Sequence, residues 1–164
     1  MINLQFDFLV DKEMNTITVR REFRANRQLI WDCHTKSELL DQWWAPKPFT
    51  NTTASMDFSA GGRWFYFMAD PNGARHYCCM DYLKIDAIES YNALDGFCDE
   101  NGVLNEAMPR STWNASFHDN GENTLVETVL EYNSLADLEA VVQMGFKEGL
   151  SMGFDQLDDF LLTL

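Results

Sequence analysis

Between Asn15 and Arg24 two kinds of position alternate: Ile17, Val19, Arg21 and Phe23 on one side, Thr18, Arg20, Glu22 and Arg24 on the other. A period of two is that of an extended strand with two distinct faces. The pattern breaks at Asn26, whose side-chain oxygen suits a helix start, and Leu29, Ile30 and Cys33 follow at helical spacing. Ser37 offers a second cap for a short helix over Glu38 to Trp44, which Pro46 and Pro48 terminate because the proline ring excludes the preceding residue from the helical region. Strands are then predicted over Thr53 to Phe58, Arg63 to Ala69, Arg75 to Ile88 and Glu89 to Phe97. Gly61-Gly62 and Asp70-Pro71-Asn72-Gly73 supply the turns among them. Asp99 to Pro109 reads as a loop, and Trp113 to His118 with Thr124 to Tyr132 as a hairpin across Asp119-Asn120-Gly121.

The period changes in the last thirty residues. Leu135, Leu138, Val142, Phe146, Leu150, Leu157, Leu161 and Leu164 recur every three or four positions or a multiple of that, which predicts one long amphipathic helix. Helices segregated against an antiparallel sheet make an α+β class. Gly145, Gly149 and Gly153 fall along one side of this predicted helix. A glycine in a helix interior costs about 0.8–1.0 kcal/mol relative to alanine, so something must offset three of them. Two arrangements would: a close approach of the helix to the sheet, or a hollow left by the missing side chains in which a ligand lies.

Composition narrows the function classes. The 164 residues suit one domain, and 46% hydrophobic with 23% charged residues is globular usage rather than that of a disordered chain. Twelve Lys and Arg stand against 26 Asp and Glu, a formal charge of −14. That balance argues against nucleic acid, which needs a basic footprint, and against an anionic membrane surface. The start lacks a basic stretch and soon meets Asp11, Lys12 and Glu13, so no secretory leader is expected. The longest apolar run, Trp64 to Ala69, is far too short to span a bilayer. Cys33, Cys78, Cys79 and Cys98 match neither a zinc pattern nor a CxxC pair and read as reduced core residues of a cytoplasmic protein.

Several segments in this order carry a resemblance: Arg21-Glu22-Phe23-Arg24-Ala25, Leu39-Leu40-Asp41-Gln42-Trp43-Trp44-Ala45-Pro46, Met56-Asp57-Phe58, Gly61-Gly62-Arg63-Trp64-Phe65-Tyr66-Phe67-Met68, the turn Asp70-Pro71-Asn72-Gly73 and the stretch Gly145 to Leu162. The chain resembles the single-domain proteins similar to the activator of the ninety-kilodalton heat-shock chaperone's ATPase, within the START and birch-pollen-allergen-like superfamily. The resemblance implies a helix-grip fold, a curved antiparallel sheet around a long C-terminal helix with a cavity between them. It runs from about residue 14 to the end, so residues 1–13 are read as an N-terminal extension and 14–164 as the domain. Two departures are visible: Asn26 stands where such proteins usually carry Pro, and Gly149-Leu150 where Gly-Trp is frequent.

The helix-grip arrangement implies that Trp64, Tyr66 and Met68, which share a strand face, point at the cavity. Trp44, Phe58, Trp113, Phe146, Gly149 and Gly153 complete the candidate ligand-binding set. An aromatic-lined hollow binds small apolar molecules by burying their area; the same rings could instead fill the core. Phe65 and Phe67 face the other way and predict a cover, either another part of the chain or a second subunit in a homodimer. His76, Cys78 and Met80 share a strand face but fall short of a metal-ligand set, so neither metal nor cofactor is expected. Glu127 and Glu131 lie opposite an apolar face and read as solvent-facing carboxylates rather than an acid–base pair. No catalytic nucleophile motif or phosphate-cradling glycine loop is present.

Three functional readings remain at this level. The first is a non-enzymatic binding domain for a small apolar molecule. The second, by resemblance, is a co-chaperone that stimulates a heat-shock chaperone's ATPase. The third is a cyclase- or hydrolase-like enzyme, distinguished by a titratable group with a displaced pKa inside the cavity.

Overall fold

The computed structural model describes residues 4–164. Eight antiparallel strands form one curved sheet: β1 (Phe6–Asp11), β2 (Thr16–Phe23), β3 (Thr50–Met56), β4 (Arg63–Ala69), β5 (Arg75–Asp86), β6 (Ser90–Cys98), β7 (Ser111–Asn120) and β8 (Asn123–Tyr132). Their order is β1-β2-β8-β7-β6-β5-β4-β3. The strands from β3 to β8 follow one another as a meander, and β8 returns to pair with β2, placing Ile17 against Leu130 and Val19 against Thr128. Two helices, α1 (Arg27–Thr35) and α2 (Ser37–Trp43), occupy the crossing from β2 to β3. The C-terminal segment forms α3 (Leu135–Gln143) and α4 (Phe146–Leu161). The four helices cover the concave face, and the chain has the predicted helix-grip α+β architecture. Among the described residues, no helix is long and apolar enough to cross a membrane.

The core sits between this face and the helices. Alternate residues of the strands turn inward, so Ile17, Val19 and Phe23 meet Trp64, Tyr82, Ala93, Phe117, Val126 and Leu130 in one buried cluster. From the helices, Ile30, Trp31, Leu40, Trp43, Phe154 and Leu157 close it. Arg21 shares this inward parity and is resolved by pairing: its guanidinium lies 2.5 Å from Asp158 and 3.1 Å from Asp155 of α4, above the rings of Phe6, Phe23 and Phe154. This contact fastens the last helix to β2.

The structure corrects several local expectations. Residues 6–11 of the predicted extension form β1, an edge strand paired with β2 from Phe6 opposite Arg21 to Asp11 opposite Thr16. Phe6, Phe8 and Val10 carry the alternation of a strand, and Phe8 reaches the Phe146 ring at 6.1 Å. Residues 1–3 of that extension lie outside the described residues. Asn26 caps α1 as expected, its Oδ1 accepting from the Leu29 N–H at 2.8 Å. Ser37, in contrast, is the first residue of α2, whose cap position is Lys36 with no side-chain bond.

The single long C-terminal helix is in fact two. Met144 and Gly145 separate α3 from α4, and Gly145 adopts φ +87°, a left-handed conformation that glycine takes without steric cost. Apolar spacing tracks which residues face the sheet. It is blind to a change of axis when both helices bury the same side. The glycine cost therefore falls only on Gly149 and Gly153.

The outward aromatics Phe65 and Phe67 are partly covered by their own chain. Phe65 stacks on Tyr77 at 5.5 Å, and a Cβ at Gly102 of the 99–110 loop would lie 3.9 Å from its ring. The Arg75 guanidinium sits 4.4 Å from the Phe67 ring centroid. Asp81 holds that loop through Arg63 and Arg110, and Arg63 Nη1 donates to the Gly102 carbonyl at 2.7 Å.

Candidate ligand cavity

A cavity of about 270 Å³ lies between the start of α4, the end of α3 and the inner faces of β4 to β8. Six of the nine residues singled out in the sequence line it: Trp44, Tyr66, Met68, Trp113, Phe146 and Gly149. Trp44 follows α2 directly, so the end of that helix swings its indole over the sheet. The Trp44 Nε1–H donates to the Tyr66 hydroxyl at 3.2 Å, and its ring lies 5.8 Å from Trp113, which in turn meets Phe146 edge-on at 6.2 Å. Gly149 opens space on the helix side: a Cβ there would touch only Pro46, at 3.8 Å. Leu150, Val141, Met144 and Pro46 complete the apolar wall.

Phe58, Trp64 and Gly153 lie elsewhere. Phe58 follows the end of β3 and packs edge-on against Tyr82 at 4.7 Å and Trp31 at 5.8 Å, filling the other end of the core. Trp64 is one pleat deeper than Tyr66. It stacks on that ring at 3.9 Å, donates its Nε1–H to Thr53 Oγ1 at 2.9 Å and is fully covered. Gly153 is buried against the end of α2, where a Cβ would lie 3.5 Å from the Trp44 carbonyl oxygen and 3.7 Å from that of Trp43, at ordinary contact distance. Along α4, Gly149 thus borders the cavity and Gly153 the backbone after α2. Of the strand-face trio weighed for metal, Met80 is buried, Cys78 faces the cavity and His76 is exposed beside Phe49. Among the described residues, no cluster of three or more His, Cys, Asp or Glu is placed to hold a metal ion.

The lining also holds a carboxylate that the sequence reading passed over. On β6 the inward parity runs Tyr91, Ala93, Asp95, Phe97, and Asp95 and Phe97 both reach the cavity. Asp95 Oδ1 accepts from the Ser111 backbone N–H at 2.6 Å. Its Oδ2 accepts from Ser111 Oγ and from Trp113 Nε1, each at 2.8 Å. Burial pushes the carboxyl pKa up, and these three donors together with the Arg110 charge pull against that rise. The alternation Tyr91-Ala93 was the available signal. It was masked because Asp95 lies next to Gly96 and an acidic loop, where a carboxylate ordinarily reads as solvated.

The other polar groups here are neutral acids. Burial raises the Tyr66 and Tyr132 hydroxyls well above the ordinary phenol range and lifts the Cys78 thiol to about 12. No Lys, Arg or His lines the cavity among the described residues. The site can therefore enclose apolar area and offer one carboxylate. Glu127, weighed earlier for acid–base work, pairs with Arg20 at 2.7 Å on the convex face.

Similarity to known proteins agrees with this geometry. No curated protein matches the chain. Among solved structures, protein Ms6760 of Mycobacterium smegmatis is 31% identical, with 97% of each chain covered and a TM-score of 0.88. A protein of Arthrobacter aurescens shares the fold at 22% identity and TM-score 0.90, covering 96% of this chain and 92% of its own. The AHSA1 protein of Silicibacter pomeroyi does so at 19% identity and TM-score 0.69, covering 90% of this chain and 98% of its own. The model of one family matches residues 24–161, nearly the whole helix-grip unit including the cavity, and the chain belongs to that family, described as activator of Hsp90 ATPase homolog 1-like proteins.

Proposed function

We propose that this protein binds a small apolar molecule in the cavity between α4 and the sheet. The observation that carries the reading is the hollow itself: a lining of rings and aliphatic groups kept open on the helix side by Gly149. Protein interiors normally close to crystal-like density, and a void without contents forfeits dispersion contacts. A preformed apolar pocket with few polar groups is the usual form of a small-molecule site.

The reading is tested by titrating the protein with a neutral naphthalene fluorophore. Binding is expected to saturate at one equivalent. Leu150→Trp places an indole where Leu150 lines the wall and is expected to weaken binding about tenfold or more, with the thermal midpoint held within a few degrees. Unsaturable binding, or equal affinity in the two proteins, counts against the cavity as the site.

The family's description favours a second reading, stimulation of a heat-shock chaperone's ATPase. It predicts that the purified protein raises the chaperone's ATP hydrolysis rate in a defined mixture, and an unchanged rate removes it.

A further inference from the structure

Resting on the cavity reading, we infer that the natural ligand is a lipophilic cation, an apolar body carrying one protonated amine that docks against Asp95 amid the rings. Three observations converge. First, Asp95 is the only Asp, Glu, Lys, Arg or His in the described lining, so no cationic side chain of the protein lines the cavity beside its carboxylate. Arg110 approaches from the convex side, where its Nε donates to the Asp95 backbone carbonyl at 2.6 Å and its guanidinium is engaged by Asp81. Second, the carboxylate is fixed in place. The Ser111 and Trp113 N–H groups can only donate, which holds both oxygens as acceptors, and three bonds leave capacity for a further donor on the roughly four lone-pair sites of a carboxylate. Third, the surrounding wall is aromatic. Trp44, Tyr66, Trp113 and Phe146 border it with rings, and aromatic faces attract cations and repel anions.

These groups discriminate among ligands of one shape. A neutral alcohol can fill the remaining acceptor site but gains no charge attraction. An anion meets Asp95 at close range, and Arg110, already paired with Asp81, offsets only part of the repulsion. An ammonium group gains a charge-assisted hydrogen bond and ring attraction together. The formal charge of −14 acts in the same direction at longer range, enriching cations near the surface and slowing the approach of anions. A cavity of about 270 Å³ is of the size that takes a one- or two-ring amine.

The test uses three ligands of one skeleton, naphthylmethylamine, naphthylmethanol and naphthoate, titrated calorimetrically into the wild-type protein at neutral pH. The amine is expected to bind about tenfold or more tightly than the alcohol, and the carboxylate most weakly. Asp95→Asn keeps the size and removes the charge, at the cost of one acceptor facing Ser111 or Trp113. It should bring the amine down to about the alcohol's affinity, while the alcohol, which loses only a neutral hydrogen bond, weakens far less than the amine, with a wild-type near-ultraviolet spectrum as the check on folding. Equal binding of amine and alcohol, or preference for the alcohol or the carboxylate, overturns the cation inference and leaves the apolar-cavity reading standing. Failure of all three to bind removes both. If the Asn variant does not fold, the wild-type ranking alone decides.

Discussion

Acidification from pH 6.5 to about 4 is expected to cost the fold about 3 kcal/mol through one side chain, His34. The imidazole is buried within α1. Its Nδ1–H donates to the Ile30 carbonyl at 2.8 Å, while Nε2 is buried with no hydrogen-bond partner among the described residues. Phe23, Trp43 and Phe117 surround it edge-on at 5.0 to 6.2 Å. A proton on Nε2 would place a charge deep among rings, so burial depresses the folded-state pKa from 6.5 to about 4. Between those values the unfolded chain holds more protons than the native one, and stability rises with pH. The contribution is fully present above pH 6.5 and lost as pH falls through 4. Asp95 acts with the opposite sign, because a raised folded pKa favours the native state as the carboxyl protonates, and it offsets part of the loss. Urea midpoints measured across this window should fall towards acid in the wild type and fall much less in His34→Leu. Parallel curves for the two proteins would show that the imidazole is not the group responsible.

Trp43→Ala is expected to destabilise the protein by about 3–5 kcal/mol, the range for removing a fully buried large aromatic. At roughly 2–4 °C per kcal/mol for a domain of this size, the melting midpoint should drop by about 6–20 °C. Trp43 is 2% exposed, touches His34, Trp44 and Phe154, and donates its Nε1–H to the Cys33 carbonyl at 2.9 Å. It thus joins α1, α2 and α4 at one point, and neighbours held by three separate helices cannot all relax into the vacated volume. Trp43→Phe keeps a ring but strands the Cys33 carbonyl, and should fall between wild type and alanine. A shift of only a degree or two for the alanine variant would mean that the helices collapse freely onto the gap.

Where one face of an element is uniform, the sequence was readable to within a few residues. β4 runs from Arg63 to Ala69 as the Gly61-Gly62 turn and the alternation around Tyr66 imply, and Asn26 marks the start of α1 by its chemistry. Readability failed where a local signal had two physical meanings. The apolar spacing through Val142 and Phe146 describes a buried stripe equally well for one helix or for two broken at Gly145. Gly149 and Gly153 are alike in sequence, yet one borders the cavity beside Pro46 and the other lies against the carbonyl oxygens of Trp43 and Trp44. Trp64 and Tyr66 share a strand face, and only the depth at which the helices cross it decides which ring borders the cavity. Asp95 was hidden for a related reason: its donors, Ser111 and Trp113, come from the next strand, and pairing across a 16-residue separation leaves no local trace.

The side chain of Gln156 answers for a segment far earlier in the chain. Its Nε2 donates to the carbonyls of Trp43 and Ala45 at 2.9 and 2.8 Å, and its Oε1 accepts from the Lys47 N–H at 2.9 Å. The turn after α2 is thereby completed by a residue 113 positions downstream of Trp43. During translation at about 5–20 residues per second, several seconds separate the appearance of that turn from the arrival of its partner. A ribosome-bound chain therefore emerges with these carbonyls wetted and the aromatic hollow unroofed, and the tunnel must release the last helix before the interior can shut. Stop codons that remove only the final two turns should yield products that are held by chaperones or degraded rather than shortened folded proteins.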